Sequence, residues 1–99
     1  MNERTAVYEL LNSQLIAIFD GLLAKRPDLL EEIPEGAVVI MQIKGEEAFN
    51  AWARRITEDE ESVRPRLYLQ FAFKTPVKPR AKRPLSWAQV KELDLQPVG

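Results

Sequence analysis

The chain of 99 residues has no cysteine and no histidine. Without cysteine there is no disulfide framework, thiol nucleophile or zinc–thiolate site. Without histidine, the commonest general base and transition-metal ligand is missing. Only four glycines are scattered along the sequence, too few to build a phosphate-cradling loop. Ser13, Ser62 and Ser86 lie outside any nucleophile-elbow context. An enzyme would have to rely on carboxylates and arginines, and no carboxylate pair announces itself. The composition therefore leads to an expectation of no catalytic role and no cofactor. Apolar runs stay short of the roughly 20 residues of a membrane span. Glu3 and Glu9, close to the first apolar residues, argue against a signal peptide. A reducing cytoplasm fits these absences, with no membrane partner.

What is present is unevenly distributed. The net charge of −1 is the sum of two opposed parts. The stretch KTPVKPRAKR, residues 74–83, carries Lys74, Lys78, Arg80, Lys82 and Arg83 and no acid, whereas the other 89 residues hold 9 basic and 15 acidic side chains. Prolines at 76, 79 and 84 favour an extended arm. Two units follow from this: a small α/β domain over 1–73, and a basic, proline-containing arm with a short terminal helix over 74–99.

Residues 3–25 read as one helix, with Val7, Leu10, Leu11, Gln14, Leu15, Ile18, Phe19, Leu22 and Leu23 at spacings of three and four. Gln14 is the polar break in that stripe. Lys25 and Arg26 suit the negative end of the helix dipole, and Pro27 stops it. PDLLEEI, 27–33, predicts a short second helical piece, and IPEGA a change of direction. AVVIMQI, 37–43, predicts a strand buried on both faces or nearly so. A helix follows Gly45, with Phe49, Trp52, Ala53 and Ile56 as its stripe. The pairs Arg54–Glu58 and Arg55–Asp59 lie on its outer face, and fraying is expected at 58–60. RLYLQFAFK, 66–74, alternates as a second strand: Leu67, Leu69, Phe71 and Phe73 point one way, Tyr68, Gln70 and Ala72 the other. Ser86 and Gln89 match a capping box, which predicts a last short helix over 86–95.

The order α-β-α-β implies an α/β (α+β) fold with a right-handed βαβ crossover and a parallel pair of strands. Two strands leave both sheet edges open. A homodimer or a hetero-complex would complete the sheet, or the arm would fold back as a third strand. Tyr68, Gln70, Phe71 and Phe73 are the candidate interface. For the arm, Lys74, Lys78, Arg80, Lys82, Arg83 and Trp87 are candidates for a protein partner or, alternatively, for nucleic acid, with five phosphate-neutralising charges and a stacking indole. Against nucleic acid stand the acidic body and the lack of any base-reading motif. The acidic run 58–61 has oxygens for a hard cation but not the spacing of a calcium loop, and reads as a solvated loop.

The run from Leu11 to Phe73, with RPDLLEEIPEGAVVIM followed by a charged helix and the strand RPRLYLQF, resembles a small prokaryotic family of unknown function. The matching stretch is PDLLEEIPEGAVV, residues 27–39. The resemblance implies an α/β fold and a prokaryotic origin, and it brings no activity or site residue. The functional expectation is a non-enzymatic protein-interaction or regulatory module, assembling through its strands and C-terminal arm.

Overall fold

The computed structural model of the chain describes residues 3–58, 64–77 and 84–98. Helix α1 spans Glu3–Lys25, and a 3-10 turn follows at Pro27–Glu32. Strand β1 is Val38–Ile43, helix α2 Glu47–Arg55 and strand β2 Arg66–Phe73. A single 3-10 turn at Trp87–Gln89 leads into strand β3, Val90–Val98. The sheet order is β1-β2-β3, with β1 parallel to β2 and β3 antiparallel to it.

Two expectations are corrected here. The sheet has three strands, not two, and the C-terminal segment is a strand, not a helix. The capping box of Ser86 and Gln89 does form, with the Ser86 N–H donating to Gln89 Oε1 at 2.8 Å. It caps only one turn. From Glu92 the sequence alternates, so that Leu93, Leu95 and Pro97 pair beside Phe71, Leu69 and Leu67 while Glu92, Asp94 and Gln96 take the other face. That period of two suits a strand, and the open edge of β2 supplies a full ladder of backbone partners. Tertiary pairing thus overrides a local helix signal. The segment after residue 84 belongs to the same sheet as the body.

The register sorts the sheet into two faces. Val39, Met41 and Ile43 lie level with Leu67, Leu69 and Phe71. This face receives α1, whose Leu11, Leu15, Ile18 and Phe19 are buried. Gln14, the polar break, is explained by its partner: its Oε1 accepts the N–H of Leu85 at 3.0 Å and ties the C-terminal segment to the helix. The opposite face, with Val38, Ile40 and Gln42, is covered at β1 by α2 and remains polar over β3. Tyr8 of α1 meets Phe49 and Trp52 of α2 at ring-centroid distances of 5.9 and 5.7 Å, which joins the two helices.

Glycine is required at two joints. Gly36 has φ 73° in the turn before β1, and Gly45 has φ 92° between β1 and α2. Both lie in the left-handed region that a Cβ disfavours.

By length and composition alone, Thr5–Lys25 is long and apolar enough to cross a membrane. In the fold, its buried stripe is packed on the sheet. The expected stripe is wider than the arc the sheet covers, because Leu10 is exposed, as is Ile16 on another side of the helix.

Candidate interaction surface

The two edges of the sheet differ in kind. β3 is an edge strand carrying Lys91, Glu92, Asp94 and Pro97. Charges and proline on an edge discourage a further strand from pairing there. β1 is the other edge, VVIMQI, with no charge and no proline. Its protection comes from α2 instead and is only partial.

The geometry of that protection follows from which way the backbone groups point. The N–H of Val38 donates to Pro65 O and that of Lys44 to Phe71 O, both at 2.8 Å, so even-numbered residues face β2. Odd-numbered residues face outward. At Ile43 the outward groups are taken by Asn50 of α2, whose Oδ1 accepts the Ile43 N–H and whose Nδ2 donates to the Ile43 carbonyl, each at 2.7 Å. The amide side chain thus stands where a neighbouring strand would.

Gln42 continues the cover. Its Nε2 donates to Met41 O at 2.7 Å and to Asn50 O at 3.2 Å, while Arg54 Nη1 donates to its Oε1 at 2.9 Å. Arg54 therefore turns inward to Gln42 rather than outward to Glu58. A polar residue in an otherwise apolar strand is satisfied on all sides, as a buried amide must be.

Beyond Met41 the cover ends. Val39 is 37% exposed, the one exposed residue of β1. Beside it runs a groove of about 330 Å³ between α1 and β1, lined by Ile16, Phe19, Leu23, Ile33, Val39 and Met41, with Asn12 and Asp20 as its polar members. Ile16 is 42% exposed, so the groove and the bare edge form one apolar surface.

The residues expected to form an interface sit elsewhere. Tyr68, Gln70, Phe71 and Phe73 belong to β2, which is paired on both sides. Phe71 is fully buried. Tyr68 and Gln70 are half-buried on the face away from α1, and Phe73 stacks near Phe71 with centroids 6.0 Å apart. Of the arm, Lys74 is exposed, and its N–H donates to Gln89 O at 2.9 Å. Trp87 is 44% exposed and lines a shallow groove of α1 with Ala17, Ile18, Gly21, Leu22 and Lys25. Lys78, Arg80, Lys82 and Arg83 lie outside the described residues, as do Asp59, Glu60 and Glu61 of the acidic run.

A recess at the carboxyl ends of β1 and β2, where parallel sheets often take ligands, is lined by Lys44, Lys74 and Glu46, charges of both signs, with Phe73, Pro76 and Val77. Among the described residues no group of His, Asp or Glu is placed to hold a metal ion. Arg26 and Asp28 form an ion pair at 2.8 Å on the surface. The Arg26 guanidinium, by hydrogen bond and then by charge, holds the Asp28 carboxyl below its ordinary range.

Sequence reasoning missed Val39, Ile16, Leu23 and Ile33 as a surface. The signal was present in the contrast between β1, with no gatekeeping residue, and the charged segment from Lys91 to Pro97. It became readable only once that segment was known to be the opposite edge.

No curated protein and no solved structure matches the chain. A family model covers residues 7–84, which takes in most of α1, the whole β1-α2-β2 unit and the arm, and stops short of β3. The chain belongs to the family of unknown function DUF5647.

Proposed function

We propose that the chain is a non-catalytic protein-interaction or regulatory module that assembles through the outward edge of β1 and the apolar groove beside it. The observation that carries this reading is the contrast between the two sheet edges. β3 is guarded by charge and proline, whereas β1 is bare at Val39 and continues into a groove with Ile16 exposed. An unguarded edge next to an apolar surface is a standard seat for a protein partner. The test is site-specific photo-crosslinking in the cell, with the probe at Ile16 in one variant and at the exposed Asp94 on the guarded side in another. Protein adducts from position 16 and not from position 94 support the reading. Equal labelling at both positions, or none at 16, refutes it.

A second reading, a nucleic-acid-binding accessory protein, is favoured by the exposure of Lys74 and Trp87 at the two ends of a strongly basic stretch. It requires binding that weakens steeply as salt rises. A variant with Lys78, Arg80, Lys82 and Arg83 changed to glutamine would lose that binding while keeping its sheet.

A further inference from the structure

The outward groups of β1 divide into those already used and those spare, and the division has a symmetry. The Ile43 N–H and carbonyl are both taken by Asn50. The Met41 carbonyl accepts Gln42 Nε2. The Ala37 N–H donates to Pro34 O at 3.1 Å. Among the described residues, four outward groups are left without a partner: the N–H of Met41, the N–H and carbonyl of Val39, and the carbonyl of Ala37.

An antiparallel strand pairs by reciprocal bonds between facing residues. A second β1 placed antiparallel, with the two-fold axis at Val39, sets Val39 against Val39 of the second copy and Met41 against Ala37. The Val39 pair exchanges two bonds, N–H to carbonyl in each direction. Each Met41 N–H meets the carbonyl of Ala37 on the other copy. The remaining groups of those pairs, the Met41 carbonyl and the Ala37 N–H, are the ones already satisfied inside the chain. This register uses every spare group and asks for none that is occupied. Shifting the axis to Ile40 directs the Val39 N–H at the Met41 carbonyl, which Gln42 already occupies, and sets Ala37 against Ile43, whose groups Asn50 holds.

On this basis we infer that the partner at this surface is a second copy of the same chain, paired β1 to β1 about a two-fold axis at Val39 into a continuous six-stranded sheet. The inference rests on the interaction reading above and names its partner. An isologous contact of this kind needs a self-complementary surface, and the pattern of spare donors and acceptors is one. The Val39 side chains fall side by side on the α1 face, so the two apolar grooves meet across the axis. Ile16 and Leu23 from each copy are then brought to the shared surface. The backbone contact is short, only four bonds, so the association draws on the groove as well and depends on concentration.

The test is sedimentation equilibrium of the full chain over a wide concentration range, with two variants. Val39→Pro removes the outward N–H and leaves the β1–β2 ladder intact, because residue 39 donates nothing to β2. Ile16→Glu puts a charge into the groove without touching the strand. Circular dichroism checks that each variant keeps its fold, so that failure of one leaves the other. The wild type is expected at twice 11.4 kDa at high concentration. Each variant is expected to weaken the dimer about 100-fold or more, since two bonds or a buried apolar contact are lost on both copies. A wild type that stays at 11.4 kDa throughout overturns the inference. So does a dimer that survives both substitutions. In the cellular crosslinking experiment, an adduct at Ile16 with a protein other than this chain, in a sample that sediments as monomer, overturns the second-copy inference and leaves the interaction reading standing.

Discussion

Asn50→Ala is the substitution that most sharply tests how the β1 edge is held. Asn50 is 8% exposed and makes two bonds of 2.7 Å to the backbone of Ile43, a residue that is itself 1% exposed. Removing the amide leaves a donor and an acceptor without partners in a place water reaches poorly. Each such orphan costs about 1–3 kcal/mol. Alanine is the better helix former by roughly 0.5 kcal/mol, which offsets a little of this. The expected loss is about 1.5–5.5 kcal/mol. With a urea slope near 1.5 kcal/mol/M for a domain of this size, the midpoint falls by about 1–3.7 M with the slope unchanged. The measurement is urea unfolding followed by circular dichroism, at one fixed protein concentration because association would shift the midpoint. Asn50→Asp provides the control. It keeps an acceptor for the Ile43 N–H but sets a carboxylate oxygen against the Ile43 carbonyl, and so is expected to destabilise despite its matched volume. A midpoint shift below about 0.5 M for Asn50→Ala would show that the edge is held by something other than this amide.

Four further outcomes are expected. Gly36→Ala meets no neighbouring atom but forces a side chain to φ 73°, and its unfolding midpoint should drop by the equivalent of about 1 kcal/mol. Gln14→Leu removes the acceptor of the Leu85 N–H. In a Trp52→Phe background, the Trp87 emission should then shift to the red as the 84–89 segment loosens from α1. A chain ending at Phe73 loses β3, leaves β2 with an open apolar edge, and should show no cooperative unfolding by circular dichroism. Asp28 has a lowered pKa beside Arg26, so the pair's stabilising contribution is present above the ordinary aspartate range and is lost as pH falls through the lowered value. Asp28→Asn should abolish that acid step in the pH dependence of the urea midpoint.

The longer and better-marked elements were legible. The helix over 3–25 formed from its length and its spacings of three and four, β1 from a short β-branched apolar run bounded by turn residues, and β2 from its alternation. The C-terminal strand was hidden because WAQVKELDL carries a genuine capping box and helix-compatible spacing. Only the presence of an unpaired β2 edge decides between the two readings, and that edge is not a local property. The two polar intruders were legible as anomalies but not as partners. Gln14 broke an apolar stripe, and Gln42 is the one polar residue inside the apolar β1; each proved to hold a backbone group of another segment. The surface was hidden for a related reason. Val39 looks like a core residue in sequence, and its exposure follows from β1 being an edge that α2 covers only as far as Met41.

The most direct test of the account is amide hydrogen exchange at Val39 and Met41 measured at low and at high protein concentration. Outward amides at a bare edge should exchange quickly in dilute solution and become protected as concentration rises, while the Val38 and Lys44 amides, bonded to β2, stay protected throughout. Fast exchange at Val39 and Met41 at every concentration would contradict the claim that β1 is the assembly edge.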